Sequence, residues 1–305
     1  MKLTSPDYYP NFHCIADRCR HSCCIGWEID IDPATREKYR RVPGPFGARL
    51  NAAIDDGGEV SVFRLDEGER CPMLAKDGLC DLITALGEEN LCQICTDHPR
   101  FRSFFPGRTE IGLGLCCEAA ARLILTREKP LKLIVLEDDG TETPMDEEDE
   151  CLLAIRDTLI CTLQEDMPLQ DRLTELLRLG GLPIPPRNWQ DVYRGLERLD
   201  PAWDDALDSL GSVDAPQPPP ALENAFVRFC EYMLYRHLPG AMEDEDIPGR
   251  VAFCVLSTRV LMALCDAKAG CTLADCIELA RMYSAEIEYS EDNISALLDA
   301  LWEED

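Results

Sequence analysis

Seventeen cysteines in a chain of 305 residues restrict its folding more than any other feature, because ten of them fall within the first 120 residues. Those ten are Cys14, Cys19, Cys23, Cys24, Cys71, Cys80, Cys92, Cys95, Cys116 and Cys117. A reducing compartment keeps thiols free, so clustering of this kind points to metal rather than to disulfides. Thiolate sulfur is a strong donor to zinc and to iron–sulfur iron, and a site needs three or four such donors converging from turns or helix ends. Cys71 and Cys80 bracket a turn, and Cys92-x2-Cys95 is a pair whose short connection lets two sulfurs face one metal. The metal itself is left open by the spacing, which is neither the four-cysteine run of bacterial ferredoxins nor the usual radical S-adenosylmethionine motif. Zinc would imply two closed, structural four-coordinate sites. An iron–sulfur cluster would use four thiolates and leave the others spare.

Free cysteines also serve as small core hydrophobes, and Cys151, Cys161, Cys230, Cys254, Cys265, Cys271 and Cys276 read that way, set singly on helices among Leu, Ala and Val. Cys117 is ambiguous, since adjacent thiolates seldom reach one metal. His13, His21 and His98 lie near the cysteines and read as supporting or surface groups rather than ligands. His237 is expected to cap a helix C-terminus in its charged form.

Charge divides the chain in the same place as the cysteines. Residues 1–120 hold 14 Lys+Arg against 19 Asp+Glu, whereas the remainder holds 16 against 39, a net −23 out of the total −28. Such a field repels phosphate backbones and anionic lipid, so nucleic acid and membrane are excluded as partners and a basic protein is favoured. The start MKLTSPDYYP lacks the basic and apolar stretches of a signal peptide. Val251 to Cys265, the most apolar long segment, is interrupted by Ser257, Thr258 and Arg259 and falls short of the ~20 residues a span requires. A cytoplasmic location is expected.

The periodicity predicts a mainly α chain with a small α+β, loop-rich, metal-stabilised N-terminal part. Residues 1–120 are read as a cysteine-cluster metal-binding domain and 121–305 as an acidic helical domain with a Pro-rich linker at 211–220. Asp32-Pro33 caps and opens a helix. Glu59–Leu65 reads as a strand, Lys76-Asp77-Gly78 as a tight turn, 81–89 as a helix, and 101–105 with 109–115 as a hairpin. Lys132–Leu136 is a further strand. Pro168 divides the run 146–179 into two helices. Segments 189–199, 201–210, 222–238, 247–267, 272–289 and 290–302 carry apolar residues at helical spacing.

The combination Tyr8-x3-Phe12-x-Cys14-x4-Cys19-x3-Cys23-Cys24-x2-Trp27, then CPMLAKDGLCDLITALGEENLCQICTDHPR, then LGLCCEAAARLIL resembles the flagellin lysine-N-methylase family. Cys14, Cys19, Cys23, Cys24, Cys71, Cys80, Cys92, Cys95 and Cys116 match its motif positions, as do Pro99 and Arg100. Cys117 departs from the pattern, which usually has proline before the Glu118-Ala119-Ala120 stretch. The resemblance implies a protein-lysine N-methyltransferase that uses S-adenosylmethionine and a cysteine-bound [4Fe-4S] cluster to methylate flagellin or another lysine-bearing protein. The alternative from residue chemistry is a non-enzymatic zinc- or iron-binding module that binds a basic partner. Gly112-Leu-Gly114, the nearest approach to a Gly-rich cofactor turn, reads as a strand end. Tyr8, Tyr9 and Trp27 read as core aromatics. A catalytic base and a methyl-donor pocket are not identifiable from the residues.

Overall fold

A computed structural model describes residues 1–303. The chain divides into two compact units, one running from His13 to Arg100 and the other combining Met1–Phe12 with the chain from Phe101 onward. The boundary expected at residue 120 is therefore drawn differently, and strand pairing is the reason. Strand Lys2–Pro6 lies between two partners of the second unit. It runs parallel to Arg108–Leu113, with Lys2 opposite Arg108 and Thr4 opposite Glu110, and antiparallel to Leu133–Asp138. Arg100–Phe105 completes the four-stranded sheet on the outer side of Arg108–Leu113. The cysteine segment is thus an excursion between two strands of one sheet.

Within 13–100 the elements are short. Asp32 accepts the Thr35 amide at 2.9 Å and opens the helix Pro33–Arg40, as its sequence position predicts. The same carboxylate accepts the amide of Gln93 at 3.0 Å, so one side chain caps two helices, the second being Gln93–Asp97. A helix at Gly44–Ala52, hidden in sequence by its Gly-Pro start, packs Leu50 inward. Asp30–Ile31, Ser61–Phe63 and Ile54–Asp55 form a small sheet, so the strand expected over 59–65 contracts to its centre. The turn at 76–78 forms around Gly78 at φ +84°, which brings Leu74 opposite Cys80.

The second unit carries most of the helix, and the whole is mainly α with small sheets, as the periodicity predicts. Pro168 sits directly before Leu169–Gly180 and separates it from Glu147–Thr162. Residues 211–220, the Pro-rich stretch, connect elements of this one unit. They lie inside this unit with Val213 and Pro216 buried, tied by Gln170 to the Pro216 carbonyl at 3.1 Å and by the Gln217 amide to Asp266 at 2.9 Å. Ile247–Ala267 is one unbroken helix of 21 residues, long and apolar enough to cross a membrane, and 78% of its most apolar window is buried in the fold. Two of its three polar interruptions are satisfied within the helix: Ser257 and Thr258 donate to the carbonyls of Phe253 and Cys254 at 2.7 and 2.8 Å. Trp203, Phe229 and Tyr193 surround Tyr283 in the centre of the core.

Candidate functional site

In the cysteine unit, Cys71 and Cys92 are buried in a core formed by Ile29, Ile31, Tyr39, Leu50 and Phe63, with Cys24, Cys80 and Cys95 half-buried against it. The chain brings them together by local devices. Cys71 donates its amide to the Cys24 carbonyl at 2.8 Å, the turn at Gly78 returns Cys80, and one helical turn separates Cys92 from Cys95, whose sulfurs lie 3.4 Å apart. These five thiols are close enough for a charge on one to act on another. Burial pushes the Cys71 thiol up to about 12, and Cys24, Cys80 and Cys92 add to the shift. Cys95 is pushed up by its contact with Cys92 first, then by burial and by Cys92, Cys24 and Cys71. Burial also raises Cys80.

Two members move the other way. A hydrogen bond from Cys23 is the main reason Cys24 falls to about 7, with burial opposing it and Ser22 and Arg70 assisting. Cys92 is lowered by its bond with Cys95. Among the described residues, no three His, Cys, Asp or Glu side chains already surround a point where a metal ion would fit. The five sulfurs are neighbours rather than a closed cage.

The other expected ligands are placed differently. Cys14 and Cys23 are exposed, with the Cys14 sulfur accepting the Ala16 amide at 3.4 Å, and half-buried Cys19 donates to the His21 carbonyl. His13 is exposed and His21 half-buried. His98 faces the Trp27 ring at 6.1 Å, and burial, helped by Arg100, pushes its pKa down to about 4. Trp27 itself is half-buried and donates its indole N–H to the Cys23 carbonyl at 2.6 Å. Cys151 and Cys161 correct the packing expectation, since both are exposed, off the stripe of Leu152, Leu153, Arg156 and Leu159 that their helix buries. Cys230, Cys254, Cys265, Cys271 and Cys276 are buried as expected, although Cys271 lies in a connection rather than on a helix.

Cys116 and Cys117 belong to the helical unit, at the corner between strand Arg108–Leu113 and helix Glu118–Leu125. Gly112 before them is required by packing, because a Cβ there would meet the Phe101 ring at 2.3 Å. The corner is held by a buried polar network that sequence reasoning missed. Leu115 donates its amide to the Tyr232 hydroxyl at 3.2 Å, and Tyr232 donates to Glu288 at 2.8 Å. Arg236 donates to the Tyr232 oxygen at 2.8 Å and lies between the rings of Phe101 and Tyr289. Tyr289 bonds the Cys116 thiol, which burial pushes up to about 12 against the pull of Tyr289 and Arg236.

His237 corrects its own expectation. It ends the helix Glu223–His237, yet it is buried with Nε2 2.7 Å from Glu288, and burial lowers its pKa against the opposing pull of that carboxylate. Burial alone would raise Glu288, but Arg236 and the bond from His237 outweigh it and leave a net downward shift. Glu288 ends a π-helical turn, Ser284–Glu288, a rare geometry that rotates side chains out of α register. At the end of that turn Glu288 is enclosed, with Tyr232, Arg236 and His237 converging on its carboxylate.

Over 133 residues, 41% of the chain, the sequence is 28% identical to proteins named lysine-N-methylase from Salmonella choleraesuis strain SC-B67 and Salmonella typhimurium strain LT2. Over 138 residues it is 27% identical to the flagellar biosynthetic protein FliU of Salmonella muenchen, covering 78% of that protein. The chain is thus similar, over part of its length, to proteins named lysine-N-methylase and to a flagellar biosynthetic protein. The similarity spans 33% of the length of each of the two lysine-N-methylases. No family model matches the chain, and no solved structure does.

Proposed function

We propose that the chain is a cytoplasmic, S-adenosylmethionine-dependent protein-lysine N-methyltransferase whose substrate is flagellin or another lysine-bearing protein, and that its cysteine unit holds a [4Fe-4S] cluster. The observation that carries this reading is the gathering of Cys24, Cys71, Cys80, Cys92 and Cys95 in a chain related to lysine-N-methylases. All seventeen cysteines are free thiols, which suits a reducing compartment. The donor set is all sulfur, which suits iron–sulfur iron or zinc and discriminates against calcium and magnesium. By donor chemistry the residues fit the cluster, and four of the five would hold it. Cys14, Cys19 and Cys116 match the family motif but lie outside the five, and exposed Cys23 bonds the Cys24 thiol at their edge.

When bound, such a cluster supplies electron transfer and an iron able to ligate a substrate. The chain's own residues account for the remaining requirements. A lysine amine must lose its proton before it accepts a methyl group, so carboxylates belong at the rim of a site rather than beside the reacting nitrogen. The acidic 121–305 portion supplies long-range attraction for a lysine-rich protein.

The test is anaerobic purification followed by iron and sulfide analysis and by incubation with S-adenosylmethionine and flagellin, reading methylated lysines by peptide mass spectrometry. Iron and sulfide in cluster stoichiometry and methyl-lysine on flagellin are expected. A folded, iron-free and fully active protein removes the cluster. Stoichiometric zinc without binding of S-adenosylmethionine moves the assignment to the non-enzymatic module with a basic partner.

A further inference from the structure

We propose that Cys92 and Cys95 form a peroxide-sensitive thiol pair whose closure to a disulfide blocks metal loading of the cysteine unit. Their sulfurs lie 3.4 Å apart, against about 2.05 Å in a disulfide, so side-chain rotation covers the difference. The backbone between them is already fixed. Cys92 is the extended residue before the helix Gln93–Asp97, which places Cys95 in its first turn. Asp32 holds the Gln93 amide at 3.0 Å, and the Thr96 hydroxyl bonds the Cys92 carbonyl at 3.2 Å, so the turn that carries both sulfurs is fastened at both ends. A Cys-x2-Cys pair at the start of a helix is the arrangement that thiol–disulfide chemistry uses.

Hydrogen peroxide oxidises one thiol of the pair to a sulfenic acid and releases one water. The other thiol then displaces the hydroxyl, forming the S–S bond and a second water. Two electrons leave the sulfur pair and reduce one peroxide. Because thiolates are the ligands, the oxidised pair has two fewer donors for any metal. The disulfide stands on the geometry above, and its effect on loading rests on the metal reading under Proposed function.

The experiment uses the full-length, metal-free chain under anaerobic conditions. One equivalent of hydrogen peroxide is added, remaining thiols are trapped with N-ethylmaleimide, and peptides are mapped with and without reduction. The Cys92–Cys95 disulfide is expected to appear first. Zn2+ uptake by the same oxidised sample is expected to fall by about half or more, since a tetrahedral thiolate site cannot close without those donors, and dithiothreitol restores it. Alkylation of both cysteines while another pair closes, or pairing of Cys95 with Cys24 or Cys71, overturns the proposal. Unchanged Zn2+ uptake by protein carrying the disulfide overturns the gate. Failure of the reduced chain to take up any Zn2+ or iron counts against the metal reading instead, and the peptide map still decides the pair.

Discussion

The two units solve the problem of stability by opposite means. The helical unit buries whole aromatic side chains, among them Trp203, Tyr193, Phe226, Phe229, Tyr232 and Tyr283, and encloses charged pairs within that core. The cysteine unit has strands of two or three residues, helices of at most nine, and a core in which Cys71 and Cys92 stand beside eight apolar residues. Ten buried residues are a small core for a segment of this length, and a metal is one of the staples that supplement a small core. In the helical unit polar groups interrupt an apolar core. In the cysteine unit, thiols are part of what the core is made from.

Breaking the charged pairs of the helical unit should show the largest effect. Glu110 and Arg156 are both about 2% exposed and joined by two bonds of 2.6 and 2.9 Å. Glu110→Gln leaves a buried guanidinium without its counter-charge, and a loss of about 3–5 kcal/mol follows. Urea unfolding read by tryptophan fluorescence measures it. A loss under about 1 kcal/mol would mean that solvent reaches the pair and that the interior is not as dry as its burial implies.

The next effect belongs to the cysteine unit and depends on pH. His98 is depressed to about 4 in the folded chain from an ordinary value of ~6.5. Between those values the unfolded chain takes up a proton that the folded one does not. Its stabilising neutral form is therefore fully effective above about pH 6.5, and stability declines as pH falls toward 4, by on the order of 2 kcal/mol. In metal-free protein His98→Gln should remove this slope in thermal unfolding between pH 7 and 4.5. An equal slope in the variant would assign the acid sensitivity to other groups.

The smallest effect sharpens how the cysteine unit is fastened. Asp32→Ala removes the cap of Pro33–Arg40 and the acceptor of the Gln93 amide together, at about 1–2 kcal/mol. Hydrogen exchange should accelerate at Thr35 and Gln93 in the same variant. Acceleration at Thr35 alone would show that the second contact contributes nothing.

Local signals in the sequence were legible wherever local physics decides the outcome. The helix Ile247–Ala267, the break at Pro168, the Asp32 cap and the turn at Gly78 all follow from residues close in sequence. The unit boundary does not, because the partners of Lys2–Pro6 lie more than a hundred residues away, at Arg108–Leu113 and Leu133–Asp138. The cysteine positions were legible as a group through their spacing. Which five gather was not, since Cys23 and Cys24 are adjacent yet one is exposed and the other half-buried. The Glu288 network was hidden for a different reason: Tyr232, Arg236 and His237 lie more than fifty residues before the glutamate on which they converge.

The placement of Lys2–Pro6 also sets an order of assembly during synthesis. This strand is made before both of its partners, and it cannot enter its sheet until Arg108–Leu113 and Leu133–Asp138 have followed it from the ribosome. In that interval the whole of His13–Arg100 has been translated. The thiol-bearing unit is thus complete, and able to meet whatever it binds, while the helical unit still lacks most of its residues.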